Sequence, residues 1–173
     1  MAIRRFKATK DNTITNAYKA NLTTRGTGSN MGASDILEVF SIYAQQASAS
    51  SELSRIIIDF DTDSITTARS DGDIPASGSV NFYLRMYNAE HSSTVPTEFT
   101  LTVASVSQSW SEGVGIDMED YKDVDISGSN WISGSFHNKW TGYGNKTTLA
   151  ILEGGSFHSG SRASGELHPA HTS

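Results

Sequence analysis

LSRIIIDFD (residues 53–61) is the stretch that decides the fold. Its centre, Ile56, Ile57 and Ile58, is an unbroken run of β-branched side chains. An exposed strand would instead alternate apolar and polar residues. A continuous apolar run is typical of a strand that is covered on both faces. The sequence therefore predicts that residues 53–61 form a strand in the middle of a β-sandwich.

Other strands are predicted on both sides of this one. They are short, rich in β-branched and aromatic residues, and separated by turn-prone segments, of which 23–34 and 63–79 are the longest. No helix longer than two turns is predicted, so the pattern indicates an all-β fold, an antiparallel β-sandwich. The further predicted strands are 3–9, 12–18, 35–44, 80–89, 99–110 and 147–152. The expected core between the two sheets is Ile56, Ile58, Phe60, Phe82, Leu84, Phe99, Leu101 and Val103. Ile57 is expected to be covered by the other layer or by a partner.

The composition excludes several classes of function. The chain has 173 residues, a net charge of −6 and no cysteine. The negative charge argues against binding to a nucleic-acid backbone, and the missing thiol excludes cysteine-based zinc sites and nucleophiles. No apolar run has the length of a signal peptide or a membrane span. We therefore expect synthesis in a cytoplasm and no membrane partner.

The chain divides into a β-sandwich domain, residues 1–152, and a polar C-terminal arm, residues 153–173. The arm has few apolar side chains, and their spacing predicts neither a strand nor a helix face. Folding it against its own domain would cost about 1–2 kcal/mol of backbone entropy per residue for little burial. The prediction is that the arm lies between subunits, where Phe157 and Leu167 become buried, or that the chain continues beyond this point.

Three carboxylates, Asp59, Asp61 and Asp63, alternate along DFDTDS. If the strand continued, they would share one face and could hold a hard cation such as calcium. The spacing does not fit an EF-hand, because Ser64 and Ser70 stand where glycine and glutamate are needed. The alternative is a turn after Phe60, in which an aspartate accepts hydrogen bonds from the amides that follow it.

WSEGVGIDMEDY (110–121) contains the carboxylates Glu112, Asp117, Glu119 and Asp120. Glu112 with Asp117 or Asp120 could in principle form the carboxylate pair of a glycosidase. No nucleophile motif accompanies them, and acidic pairs arise by chance in a chain with 19 acidic residues. The prediction is that the loop belongs to a scaffold and that the protein is not an enzyme.

The aromatic residues leave two alternatives open. Exposed rings could stack on sugars or contact a second subunit, whereas rings in a β-sandwich are more often part of the core. The aromatic candidates are Trp110, Trp131, Trp140 and Tyr143.

Five short motifs in a fixed order resemble a known family. They are Asp11 with Ile14, Asn30 with Gly32, Phe60 with Asp61, Leu84-Arg85 with Tyr87, and Trp110 with Glu112 and Gly113. This order resembles the DNRLRE-type β-sandwich, a jelly-roll relative of carbohydrate-binding modules, over about residues 6–131. The continuation through Gly115, Asp117, Met118, Glu119 and Tyr121 to Asn130-Trp131 is similar to structural proteins of tailed, especially marine, bacteriophages.

The resemblance implies a function through assembly. It implies a non-enzymatic virion structural protein (a capsid decoration, neck, tail or fibre subunit) that forms a homo-oligomer with other virion proteins as partners. The alternative that it implies is a carbohydrate-binding module for host-surface glycans. It implies no cofactor apart from the calcium considered above. Members of that family usually close the sandwich with a further strand, so the resemblance implies either that the chain as given stops early or that a neighbouring subunit completes the sheet.

Overall fold

The structure is a computed structural model, which describes residues 3–76, 78–90, 99–116, 127–141, 154–155 and, for the backbone, 157–164. The described part contains seven strands and one helix, so the all-β class is confirmed. Its strands form three small sheets, and the packing of two layers into a sandwich or jelly roll stays a prediction. No helix in the described ranges has the length and apolarity needed to cross a bilayer.

The largest sheet has the order β1-β3-β2, from β1 (Ala8–Thr15), β2 (Ser41–Tyr43) and β3 (Ser51–Phe60). The strand deduced from LSRIIIDFD is therefore central in its sheet. It pairs antiparallel with β1, with Thr13 opposite Ile56. The predicted strand 35–44 is correct in its last part, residues 41–43, alone.

The turn predicted between residues 3–9 and 12–18 is wrong, because β1 runs through it as one strand. The turn was expected at Lys10-Asp11, but both residues pair with β3, and the register shift that indicates a bulge lies just before them, between Ala8 and Lys10. Lys10 and Asp11 do not interrupt the strand. The Nζ of Lys10 lies 3.4 Å from the Asp59 carboxylate on the neighbouring strand β3, so this charged side chain has a partner across the sheet.

The segment after β3 forms a helix, α1 (Thr62–Ser70), so the prediction of a loop without a helix longer than two turns is wrong. Its nine residues make about two and a half turns. Asp61 caps the N-terminus, Arg69 lies in the last turn, and Gly72 follows with φ of 78°. These are the usual start and stop signals of a short helix.

The remaining described strands form two two-stranded sheets. β4 (Thr102–Val106) pairs antiparallel with β7 (Phe157–Ser164), and β5 (Ser133–Ser135) pairs with β6 (Asn138–Lys139). β4 confirms part of the predicted strand 99–110. The predicted strand 147–152 lies outside the described residues.

The prediction that the C-terminal arm forms neither a strand nor a helix is wrong, because part of the arm is a strand that pairs with β4 of its own chain. Sparse apolar spacing does not prevent this, since antiparallel pairing is made by backbone hydrogen bonds. Contacts of the arm with other chains stay a prediction. Leu167 lies outside the described residues, and only the backbone of Phe157 is described.

The core is built from tryptophans and differs from the predicted one. Ile57 is buried, and Ile56, Ile58, Phe60 and Leu101 are half-buried. The buried cluster consists of Ile14, Ile57, Trp110, Trp131 and Trp140, with Leu53, Val106 and Ile132 packed against it.

Four residues of the predicted core are exposed: Phe82 (61%), Leu84 (45%), Phe99 and Val103. The predicted strand 80–89 is wrong as well, since residues 80–90 lie outside every strand of the structure. Their alternation fits a sheet, but none of the described strands pairs with them. Without a neighbouring strand, these residues do not form a sheet whose apolar face could pack against a second layer.

Candidate functional site

Three separate segments of the chain meet at one buried group, the side-chain amide of Asn30. Its Nδ2 donates to the carbonyl oxygens of Glu112 and Ser129, both at 2.7 Å. Its Oδ1 accepts from the backbone N–H groups of Gly32 at 2.9 Å and Gly115 at 3.0 Å. An amide has two donors and two acceptor lone pairs, so this fully buried side chain uses its whole hydrogen-bonding capacity.

Asn12 of β1 adds a second amide beside the first. Its Nδ2 donates to the carbonyl and hydroxyl oxygens of Ser129, at 2.9 and 2.8 Å, and its Oδ1 accepts from the N–H of Met31 at 2.8 Å. We name the set Asn12, Asn30, Glu112, Gly115 and Ser129 the polar junction. It ties β1 to loops that are distant in sequence.

Gly115 of the polar junction and Gly32 beside it allow the backbones to approach closely. A Cβ atom on Gly115 would lie 2.0 Å from the carbonyl oxygen of Asn30, and one on Gly32 would lie 2.1 Å from that of Glu112. Neither distance is possible for a real side chain, and both neighbours are backbone atoms that cannot rotate away. These positions therefore require glycine for packing.

The carboxylate of Glu112 takes part in a hydrogen bond that holds the fold together. Its Oε1 accepts from the backbone N–H of Asp11 at 2.9 Å, next to the sheet. Partial burial, and secondarily the negative charge of Glu112, raises the pKa of the Asp11 carboxyl above its usual range. Glu112 thus serves to hold β1 against the loop. Asp117, Glu119 and Asp120, the other carboxylates of the loop, lie outside the described residues.

Lys10 connects the same loop to the main sheet. Its Nζ donates to the carbonyl oxygen of Trp110 at 2.8 Å and lies 4.6 Å from the centre of that tryptophan ring. The same ammonium group lies within ion-pair distance of Asp59. A single lysine thereby fixes the start of the 110–116 loop over β1 and β3.

The three aspartates considered for calcium have separate roles. Asp59 pairs with Lys10, whereas Asp61 accepts from the N–H groups of Asp63 at 3.0 Å and Ser64 at 3.3 Å. These hydrogen bonds lower the pKa of Asp61, the bond from the Ser64 hydroxyl being the largest cause. The capping alternative is the one that the structure shows. Within the described ranges, no three acidic or histidine side chains are placed to hold a metal ion.

The three tryptophans are buried, which makes their ring faces inaccessible to a sugar. Trp140 is 0% exposed, and its Nε1 donates to the carbonyl oxygen of Asn130 at 2.8 Å. Trp131 packs under Arg55, whose guanidinium lies 5.0 Å from its ring. The core alternative therefore applies to Trp110, Trp131 and Trp140. Tyr143 lies outside the described residues.

An open groove of about 460 Å³ separates the N-terminal segment from α1. Its charged groups are partly engaged already, since Arg4 pairs with Asp73 and Asp61 caps the helix. The mixture of both signs selects no ligand class. The charged residues along it are Arg4, Arg5, Asp61, Asp63, Asp71 and Asp73.

The polar junction contains residues from three of the motifs that carry the family resemblance. Asn12 lies between Asp11 and Ile14, Asn30 begins the second motif, and Glu112 belongs to the last. The sequence marks these residues by order alone and assigns no role to the two asparagines. Comparisons of the chain with protein-family models, with curated proteins and with solved structures give no match.

Proposed function

We propose that this protein is a non-enzymatic structural subunit that works by packing against further copies of itself, as part of the virion of a tailed bacteriophage. The observation that carries the proposal is the exposure of an apolar strip. The strip consists of Phe82, Tyr83, Leu84, Met86 and Tyr87, and Tyr83 and Tyr87 are 86% and 71% exposed. Contiguous exposed apolar side chains are typical of a protein–protein interaction site.

The polar junction supports a structural role for the acidic loop. Glu112 accepts a backbone N–H and its carbonyl accepts from Asn30, so the described half of the loop holds segments together. Of the four aromatic candidates for stacking on a glycan, the three tryptophans are buried, which favours the structural role over the glycan-binding alternative. The virion setting is supported by the sequence resemblance.

The test is the mass of the purified chain in solution, measured by light scattering over a range of concentrations. We expect an oligomer, and we expect Phe82→Asp with Leu84→Asp to convert it to folded monomers. The matched control is Ile3→Asp with Ile36→Asp, which places the same two charges on other exposed apolar residues. A wild-type chain that is monomeric throughout contradicts the proposal.

Two further measurements address the setting and the alternatives. Antibodies against the chain should detect it in intact virus particles that have been purified on a density gradient. Glu112→Gln should leave the oligomer unchanged. Release of reducing sugar from a polysaccharide by the wild type, but not by Glu112→Gln, would overturn the structural role.

A further inference from the structure

The outer edge of β2 has no neighbouring strand within the described part of the chain, because β2 is the last strand in the order β1-β3-β2. The backbone groups that face β3 belong to alternate residues. The carbonyl oxygen of Phe40 accepts from the N–H of Ser54 at 3.1 Å, and the N–H of Ala44 donates to the carbonyl oxygen of Ser50 at 2.8 Å. In an antiparallel pair, the residues between these direct their N–H and C=O groups outward. We name the outward residues the free edge; they are Val39, Ser41 and Tyr43, and all three are exposed.

The apolar strip has the sequence pattern of a strand but pairs with no strand of the structure. Along residues 80–87, apolar side chains occupy every second position, which is the period of a strand in a sheet. An unpaired edge accepts such an extended segment through backbone hydrogen bonds. The charges of the two segments also match. Arg85 is the one charged residue among residues 80–87, Glu38 is the one charged residue among residues 38–44, and both are exposed.

The free edge and the apolar strip lie toward opposite ends of β3. The edge strand β2 pairs with residues 51–53, at the start of β3. Helix α1 follows the other end, after Phe60, and its Arg69 guanidinium lies 6.0 Å from the ring centre of Phe82 in the strip. From Leu53 to Phe60 the strand rises by about 23 Å. The apolar strip of one copy is therefore held away from the free edge of the same copy.

We propose that residues 80–85 of one copy pair as an antiparallel strand with the free edge of a second copy. Placing Arg85 opposite Glu38 puts Leu84 opposite Val39 and Phe82 opposite Ser41, so the ion pair and the apolar contacts form in one register. The two surfaces differ, which makes the contact heterologous, and such contacts continue from copy to copy into a ring or a filament. The inference rests on the proposed function and deepens it by naming both faces of the subunit contact.

The first test removes one hydrogen-bond donor from the free edge. Ser41→Pro deletes an N–H that points away from β3, so the pairing of β2 with β3 keeps its hydrogen bonds, and proline is tolerated on edge strands. The matched control is Ser41→Ala, which removes the hydroxyl and keeps the N–H. By light scattering, we expect Ser41→Pro to be monomeric at concentrations where the wild type and Ser41→Ala are oligomers. Circular dichroism shows whether each variant is folded.

The second test identifies the two contacting surfaces, and the absence of cysteine from the chain makes it direct. Chains with Ser41→Cys are mixed with tagged, longer chains that carry Phe82→Cys, and the mixture is oxidised. The proposed register opposes these positions as a hydrogen-bonded pair, whose Cα separation of about 5.5 Å suits a disulfide. The control partner is a tagged chain with Phe136→Cys, a phenylalanine position of similar exposure, 55% against 61%. We expect covalent heterodimers with Phe82→Cys in excess of those with Phe136→Cys on non-reducing gels.

The outcomes separate this inference from the proposed function. A folded Ser41→Pro variant that assembles as the wild type does overturns the strand pairing and leaves the proposed function standing. If that variant fails to fold, the disulfide test decides. Equal yields with Phe82→Cys and Phe136→Cys, or a predominance of Ser41→Cys homodimers, overturn the pairing of edge with strip. A wild-type chain that is monomeric by light scattering overturns both proposals.

Discussion

The polar junction and the apolar strip are opposites in composition and in burial. The junction is built around Asn12 and Asn30, two amide side chains that are fully buried. The strip around Tyr83 is aromatic and aliphatic, yet it is exposed. Side-chain hydrophobicity alone would have placed the strip inside and the asparagines outside. The comparison shows that burial here follows the availability of partners, since each buried amide has several hydrogen bonds.

The largest expected effect on stability is at Trp140, which the structure places in the core, and not at Leu84, which the sequence placed there. Trp140→Ala should lower the free energy of unfolding by about 3–5 kcal/mol, because it removes a fully buried ring and the donor to Asn130. Leu84→Ala, at a half-exposed position, should cost less than about 1 kcal/mol. Urea denaturation followed by circular dichroism measures both. Equal losses in the free energy of unfolding for the two variants would contradict the observed core and favour the one predicted from the sequence.

The next effect tests the close approach inside the polar junction. Gly115→Ala should cost about 3 kcal/mol, because its Cβ would overlap the carbonyl of Asn30 and force the two backbones apart. Gly72→Ala is the matched control, with open space around the new methyl group and only the strain of its positive φ, about 1 kcal/mol. Thermal denaturation compares them, and a difference of zero would mean that the loop can shift freely.

A smaller effect is expected at the amide itself. Asn30→Ala should lower the free energy of unfolding by about 2 kcal/mol, because buried carbonyl and N–H groups lose their partners. Asn21→Ala removes an amide that caps nearby N–H groups at the surface and should cost about 0.5 kcal/mol. If the two variants unfold at the same urea concentration, the junction does not stabilise the fold.

The smallest effect is a dependence on pH. The pKa of Asp11 is raised in the folded protein by burial and by Glu112, so the folded state binds the proton more tightly than the unfolded state does. The contribution of Asp11 is therefore most favourable below the unfolded value of 3.8 and is lost as the pH rises through the folded pKa.

Asp11→Asn should consequently increase stability slightly at pH 7, with the gain shrinking as the pH falls through the folded pKa of Asp11 toward 3.8. Glu112→Gln is the matched variant, because it removes the charge and keeps an oxygen acceptor for the Asp11 N–H. It should shift the titration of Asp11 toward its ordinary range in an NMR experiment. A stability gain for Asp11→Asn that is independent of pH would contradict this assignment.

Local signals in the sequence were sufficient for some elements. The run of three isoleucines identified β3 as a strand, since β-branched side chains favour strands. Its coverage on both faces stays a prediction, because Ile56 and Ile58 are half-buried. The capping alternative for Asp61 was correct for a similar reason, because a cap depends on the two or three residues that follow it. The helix behind that cap was overlooked because its polar residues, such as Thr66, carry no apolar period.

The sequence by itself determined the all-β class, the central strand and the absence of thiol chemistry, because composition and local periodicity act over a few residues. Only the tertiary structure decided what is buried. The contacts of Asn30 with Glu112 and Ser129 span 82 and 99 residues, and no local pattern encodes such a meeting. Equally, the alternation of residues 80–89 specifies a strand only if a neighbouring strand is present, because each hydrogen bond in a sheet joins a donor on one strand to an acceptor on the other.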